Sequence, residues 1–388
     1  MGVEYLCDVF MFLAKSSARI LTEMALLFHR AFERDAITLR DVSSLLCVEL
    51  TRMGDLIAAL PAIRILRKHL PKARIVVAVE KKYESLMRMT ADVDCVFGFE
   101  NTARFLGIAS TVKTLHGEQF DLVCSMSPSI RNALVAGMIP ARARVGYFQS
   151  SNSLTPFLET TSVESVGIVP FLSLQYSNEN IYKRPLKICE ALGLPIEHWV
   201  DDLRLKQDHQ LALLDGLEIN DSESYLVFHP FAGWNFRKWN GVAAVEFMNL
   251  ISDEGLEVVL VGDESDKDDG MKMISSLRRP NLAKGIFGLP LDALGAIIQC
   301  ASVFVGTDSG PLHLAAALGV PVVGLYGPAH PRFTAPPTRS GSYIFKQVEC
   351  SPCEQRDCIR SEHPCMHLIL AEEVLKRVRD VRAISAAS

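Results

Sequence analysis

Val305-Gly306-Thr307-Asp308-Ser309-Gly310-Pro311-Leu312-His313-Leu314-Ala315-Ala316-Ala317-Leu318-Gly319-Val320-Pro321-Val322-Val323-Gly324-Leu325-Tyr326-Gly327-Pro328 reads as strand, tight polar loop, helix, strand and loop. Ser302 to Val305 is a short apolar run suited to a buried strand. Asp308-Ser309-Gly310 is a turn, and Pro311 suits the first position of a helix. Leu312 to Leu318 continues that helix, Gly319 ends it, and Val322 to Leu325 is the next strand. Such a loop gathers unpaired backbone N–H groups and the positive end of a helix dipole at one point, which favours an anion, typically phosphate. A plain βαβ turn needs only a glycine there. Asp308, Ser309, Gly310 and His313 together point further, and with Thr307 and Pro311 they form the candidate phosphate loop.

Outward from this stretch the same rhythm recurs. Leu45 to Leu50, Ile75 to Val79, Cys95 to Phe97, Leu122 to Ser125 and Arg144 to Tyr147 are strand candidates separated by helical stretches. Leu56 to Leu70 places Leu56, Ala59, Leu60, Ile63, Leu66 and Leu70 on one helical face. Phe148 to Asn180, rich in Ser, Thr and Pro, reads as surface loops, and Ile181 to Leu192 as a helix. A second series runs through Leu226 to His229, Val258 to Val261, Ile286 to Phe287, Val303 to Val305 and Val322 to Leu325. The expectation is an α/β protein with a domain over 44–195 and another over 196–388, the second ending in a cysteine cluster at 350–365 and a closing helix. Ligands of such sheets bind at the carboxyl ends of the strands, so a cleft between the domains is the expected site.

The 388 residues suffice for two domains, and an apolar fraction of 49% with 22% charged residues is that of a soluble globular protein. A net charge of −5 argues against a nucleic-acid partner. Residues 1–43 are treated apart as an amphipathic helical extension. Val3 to Phe32 is apolar-rich but interrupted by Glu4, Asp8, Lys15, Arg19, Glu23 and Arg30, so it falls short of the ~20 apolar residues of a membrane span. Its acidic start is unlike a signal peptide. It would dock on the protein body or lie on a membrane surface. Ten cysteines without a secretory leader point to a reducing cytoplasm, the inner membrane face being where a surface-seeking helix would bring the chain.

Several residue types carry chemistry. Gly54-Asp55 follows the first strand at its carboxyl end; Asp55 is either a helix cap or a general base facing a phosphoester. The loop His229 to Trp239 holds two cations, Arg237 and Lys238, which either are solvated or neutralise a departing diphosphate. Gly262-Asp263-Glu264 ends another strand, where an acid either closes a polar turn or binds ribose hydroxyls. Asp92-Val93-Asp94 and Asp266-Lys267-Asp268 spell a D-x-D, for which a solvated surface is the better reading than a metal site. Cys350, Cys353, Cys358 and Cys365, spaced C-x2-C-x4-C-x6-C, fit a structural zinc site and also a compact cluster of partly buried thiols.

Four segments resemble glycosyltransferase family 9, the ADP-heptose:lipopolysaccharide heptosyltransferases. They are Arg52 to Ala62, Ala143 to Tyr147, His229 to Trp239, and Asp308 to Ala316 with its D-S-G-P-x-H element. The cysteine spacing also resembles one found in many members. Phe231 stands where the family usually has Gly, Asn240 where Pro is usual, and Arg237-Lys238 inverts the usual Lys-Arg order.

The resemblance implies a GT-B architecture, two Rossmann-like domains facing a central cleft. It implies inverting, metal-independent transfer of a sugar, heptose above all, from ADP-heptose or a similar nucleotide-diphospho sugar to a lipid-linked or oligosaccharide hydroxyl of the lipopolysaccharide core. No cofactor is required for such catalysis. Asp55 would then be the base, with Arg237 and Lys238 beside the leaving group. Thr307, Asp308, Ser309, Gly310, Pro311 and His313 would hold the nucleotide diphosphate. Gly262, Asp263 and Glu264 would hold the nucleoside, and Gly54, Arg131, Lys81 and Lys82 the acceptor. Three alternatives are a nucleotide-sugar 2-epimerase, whose usual D-S-G-G-x-Q-E-E is absent, a retaining transferase, whose paired glutamates are absent, and a non-catalytic sugar-nucleotide binder.

Overall fold

The computed structural model describes residues 38–100, 102, 105–146, 171–173, 179–196, 207–216, 225–353, 358–360 and 363–386. The expected amino-terminal helix lies outside them. The chain divides into two units, Met1–His198 and Trp199–Ser388. Among the described residues no helix is long and apolar enough to cross a membrane.

In the first unit the apolar runs become parallel strands: β1 (Ser44–Glu49), β2 (Arg74–Glu80), β3 (Cys95–Phe99), β4 (Phe120–Ser125), β5 (Ala141–Gly146) and β6 (Phe171–Ser173). Their spatial order is β3-β2-β1-β4-β5-β6. The intervening helices are α1 (Met53–His69), α2 (Glu84–Met87), α3 (Phe105–His116), α4 (Ile130–Met138) and α5 (Lys183–Ala191). β1 is buried on both faces, which explains its near-continuous run of apolar residues. Its register sets Leu46 against Val76 on one side and Val123 on the other. Leu46, Val48, Val76, Val123, Leu134 and Val135 share one core. Fully burying each such side chain stabilises by ~1.5–3 kcal/mol.

The second unit repeats this plan. After α6 (Gln207–Gly216) come β7 (Tyr225–His229), α7 (Gly241–Asp253), β8 (Glu257–Gly262), α8 (Lys267–Ser275), β9 (Ala283–Phe287), α9 (Leu291–Gln299) and β10 (Val303–Thr307). Then follow α10 (Gly310–Ala317), β11 (Val322–Tyr326), α11 (Pro331–Thr334), β12 (Gly341–Phe345), α12 (Pro364–His367) and α13 (Ala371–Ala386). The order β12-β11-β10-β7-β8-β9 is the first sheet's order read from the other edge. In each sheet the chain reverses direction of growth beside its first strand, between β1 and β4 and between β7 and β10. Crevices for ligands form at such switch points, at the strands' carboxyl ends.

Three expectations change. The first helix begins at Met53 rather than Leu56, because Arg52 keeps an extended backbone and its carbonyl accepts the Leu56 N–H at 3.0 Å. Asp55 therefore sits inside the first turn and is not the cap. The last strand is β12, not Val322 to Leu325. It is an edge strand with only Ile344 buried, so it shows no apolar run. β6 lies within the stretch read as loops, at three residues too short for a pattern. Gly319 does end α10, at φ +77, a left-handed conformation that glycine adopts without strain.

Candidate active site

The second unit's switch point is built by β7, β8 and β10. Ser309 caps α10 with an extended backbone, and its hydroxyl lies 3.2 Å from both His229 Nδ1 and the Thr307 carbonyl oxygen. The Thr307 hydroxyl donates to the Phe231 carbonyl, joining the β10 loop to the β7 loop. Burial pushes His229 and His313 down to about 4, so both rings are neutral at pH 7. For His229 the Asp266 charge opposes that shift, and Lys238 adds to it.

Both cations of the β7 loop meet acids from neighbouring loops. Arg237 Nη1 lies 3.1 Å from Asp308 Oδ2, and the guanidinium stacks 4.5 Å from the Trp234 ring centroid. Arg237 Nε is buried without a hydrogen-bond partner among the described residues. Lys238 Nζ lies 3.0 Å from Asp266 Oδ1, in the turn after β8. Trp239 anchors the loop, buried against Phe228 and Phe247 with Nε1 3.1 Å from the Ile369 carbonyl oxygen. The family's usual Pro is Asn240 here, and its side chain caps α7 through Val242 N–H at 2.8 Å.

The expected nucleoside residues gather at the end of β8. Asp263 caps a short 3-10 turn, its N–H donating to Asp266 Oδ2 at 3.2 Å. Glu264 is exposed and pairs with Lys267 at 3.3 Å. Gly262 lies under Phe231, where an added Cβ would come within 2.9 Å of that ring. The bulky Phe231 thus fits because position 262 has no side chain.

In the first unit Asp55 is partly buried at the start of α1, next to Gly54. Burial raises its carboxyl, opposed by the charges of Arg184 on α5 and Arg52 and by the Thr51 hydroxyl. Within reach of its charge is Glu49, the last residue of β1, which is only 1% exposed. Its Oε1 accepts from the Thr51 N–H at 3.2 Å and from the Thr51 hydroxyl. Burial and the Asp55 charge push Glu49 up to about 7. Sequence reasoning passed over Glu49, though a lone acid inside the run Leu45 to Leu50 was a signal. Arg131 Nη1 pairs with Glu80 Oε1 at 3.0 Å and lies 3.3 Å from Thr102, at the end of β2. Lys81, the next residue along, pairs with Glu84, and Lys82 lies 4.8 Å from the Tyr83 ring centroid.

The D-x-D spellings serve the structure. Asp92 pairs with Arg64 at 3.0 Å, Asp94 pairs with Arg67 and accepts the Ile75 N–H at 2.7 Å, and Asp266 binds Lys238. Cys350, Cys353 and Cys358 are half-buried and Cys365 is buried. They close over the turn after β11: Cys353 N–H donates to the Pro328 carbonyl at 2.7 Å, and the Ser351 hydroxyl to that of Gly327. Burial and the three neighbouring cysteines push the Cys365 thiol up to about 11. Among the described residues no group of three or more His, Cys, Asp or Glu converges as a metal site.

A family model described as "Glycosyltransferase family 9 (heptosyltransferase)" matches residues 108–363, well over half of the chain. The chain belongs to glycosyltransferase family 9. This family 9 enzyme is 25% identical over 303 residues to lipopolysaccharide heptosyltransferase 3 of Escherichia coli K12, covering 74% of this chain and 83% of that protein. A family 9 glycosyltransferase from Veillonella parvula superimposes with a TM-score of 0.73 at 18% identity, over 90% of this chain and 99% of that one. The E. coli ADP-heptose lipopolysaccharide heptosyltransferase II does so with a TM-score of 0.69 at 20% identity, over 88% and 99%. The fold of the family 9 enzyme is accordingly of the GT-B type, and among the alternatives weighed from the sequence it is a glycosyltransferase.

Proposed function

We propose that the enzyme transfers a heptose from an ADP-activated donor to a hydroxyl of a lipopolysaccharide-core glycan, with inversion at the anomeric carbon. The observation that carries the donor reading is the joined set of loops at the β7–β10 switch point. Backbone N–H groups open α10 at Ser309 and Gly310, Arg237 is held by Asp308, and Lys238 is held by Asp266. That set offers an anion a helix N-terminus and two cations, one with a spare buried N–H at Arg237 Nε. The choice of heptose and of ADP is supported by the family description and by the names of the relatives.

In this reading Asp55 takes the proton from the acceptor hydroxyl as its oxygen attacks the anomeric carbon on the face opposite the diphosphate. The bond from that carbon to the diphosphate breaks, and ADP leaves with the electron pair. Lys238, Arg237 and the N–H groups of Ser309 and Gly310 stabilise the charge as it develops. Asp308 holds Arg237 in place, His313 and Thr307 shape the loop, and Asp263 or Glu264 contacts the ribose. Gly54, Arg131, Lys81 and Lys82 face the acceptor, whose phosphates or carboxylates suit the cations. The two cations compensate the diphosphate without a metal. The chain works in the cytoplasm, at the inner membrane face where its acceptor is anchored.

Thermal unfolding with a panel of nucleoside diphosphates tests the donor. ADP at a hundred times its Kd should stabilise by about 2.7 kcal/mol, and ADP-heptose with a core-glycan acceptor should give product of inverted configuration. Stabilisation by UDP or GDP with none by ADP would overturn the choice of nucleotide.

A further inference from the structure

We propose that Glu49 is a positioning residue for Asp55: Glu49 keeps the one proton that this pair of carboxyls shares, and the Thr51 hydroxyl is the bridge that leaves Asp55 ionised and oriented. The proposal rests on Asp55 being the base.

The geometry carries it. Glu49 ends β1 at the β1–β4 switch point and is sealed from solvent. Its Oε2 is buried and has no hydrogen-bond partner among the described residues. Ser127 and Asn132 face Glu49 and favour its charged form, but weakly against its burial, and both have other partners: Asn132 Nδ2 donates to Ser127 Oγ at 3.0 Å, and Asn132 Oδ1 accepts the Leu50 N–H at 2.9 Å. Among the described residues the groups that act most strongly on Glu49 include no cation, whereas Arg184 and Arg52 act on Asp55. A buried carboxylate oxygen without a donor is costly, and a carbonyl oxygen in the same place much less so. Two nearby carboxyls share a proton, and it goes to the one with poorer charge compensation, which here is Glu49.

Thr51 links the two. It meets Glu49 through both its N–H and its hydroxyl, and the same hydroxyl stabilises the Asp55 carboxylate. A hydroxyl has one proton to donate. With Glu49 protonated, the Glu49 O–H donates to Thr51 Oγ1 and the Thr51 proton is directed to Asp55. With Glu49 ionised, Thr51 donates to Glu49 instead, and Asp55 loses its donor and faces a like charge. The groups facing the pair are Thr51, Arg52, Ser127, Asn132 and Arg184. Glu49 is the member of the pair expected to lose its proton near pH 7.

The test is kcat/KM against pH, with infrared difference spectra for the carbonyl stretch of a protonated carboxyl. In the wild-type enzyme kcat/KM should fall by ~10-fold per pH unit once Glu49 ionises. Glu49→Gln, fixed in the neutral form, should lose that alkaline limb and the infrared band while keeping the acid limb. Thr51→Val keeps both carboxyls and serves if Glu49→Gln does not fold. Removing the donor to either carboxylate should move both limbs to higher pH. An alkaline limb unchanged in Glu49→Gln, a band that persists in it, or limbs unmoved in Thr51→Val would overturn the proposal. Failure of the base assignment looks different: Asp55→Asn would keep its turnover, whatever the infrared band of Glu49 does.

Discussion

The two switch points have the same backbone plan and opposite electrostatics. At β7–β10 each cation of the β7 loop has an acid: Asp308 holds Arg237 and Asp266 holds Lys238, and the histidines beside them are neutral. At β1–β4 two carboxyls interact, and Arg184 and Arg52 act chiefly on one of them, Asp55. The first arrangement is built of paired charges and is suited to holding a constant anion. The second has a proton to place and is suited to moving one. A shared fold thus divides into an anion holder and a proton acceptor through the residues at one loop of each sheet.

The largest expected effect breaks the proton acceptor. Asp55→Asn should lower kcat by ~10²–10⁴ and leave ADP affinity unchanged, because the donor residues belong to the other unit. Rapid-quench turnover with calorimetric ADP binding checks both halves of that expectation. Next comes the anion holder. Replacing Arg237 and Lys238 together by Ala should cost ~1.5–3 kcal/mol in ADP binding and much less for adenosine. Equal losses for the two ligands would remove the cations from the diphosphate. The single Arg237→Ala change should also lower stability, since Asp308, 8% exposed, loses its ion pair with Arg237.

A third contrast concerns stability against pH. Glu49 holds its proton up to about 7 in the folded chain against an ordinary 4.5, so its contribution is complete below pH 4.5 and is lost as pH rises toward 7. His229 and His313 run the other way. Their folded values of about 4 lie below the ordinary 6.5, so their contribution is present above pH 6.5 and is lost as pH falls toward 4. Each group contributes a slope of roughly 1.4 kcal/mol per pH unit within its window. Hydrogen exchange read unit by unit should therefore show the first sheet loosening as pH rises from 4.5 to 7, and the second loosening as it falls from 6.5 to 4. Glu49→Gln should weaken the first trend and leave the second unchanged; a first sheet that loosens equally in that variant would assign the trend to Asp55, whose carboxyl burial also raises.

What could be read from the chain itself follows from how local each feature is. Strands buried on both faces, such as Leu45 to Leu50 and Val322 to Leu325, announce themselves as apolar runs, and the helix start at Gly310-Pro311 follows from turn chemistry. Gly54-Asp55 and Asp308 stood out because they follow such strands. The pairings were hidden. Arg237 and Asp308 are far apart in sequence, as are Glu49 and Asn132's neighbourhood, and only the order of the strands brings them together. The assignment of Arg237 and Lys238 as a bare cation pair missed that each arrives with its own acid. β12 was hidden because an edge strand with one buried residue has no period to detect.

The smallest expected effect lies beside the anion holder, at the cysteines. Cys365 packs on Gly327 and the Cys353 N–H binds Pro328, just after β11, the strand next to β10. A Cβ on Gly327 would come within 2.9 Å of Cys365 Sγ, so the Cys365 thiol and the turn are in close contact. Cys353 is half-buried, and its tie to the turn runs through the backbone N–H to Pro328, which a serine keeps. Cys353→Ser should therefore cost about 1 kcal/mol of stability through the more polar side chain and leave kcat unchanged. Thermal unfolding and turnover on the same preparation read the two quantities. A chelator that destabilises the wild type but not Cys353→Ser would assign the sulfurs to zinc, the reading that the spacing alone also allowed; no effect on either assigns them to a packed thiol cluster. Full stability with abolished turnover would instead make the cysteines part of the anion holder itself, and the division between the two switch points would have to include the loop after β11.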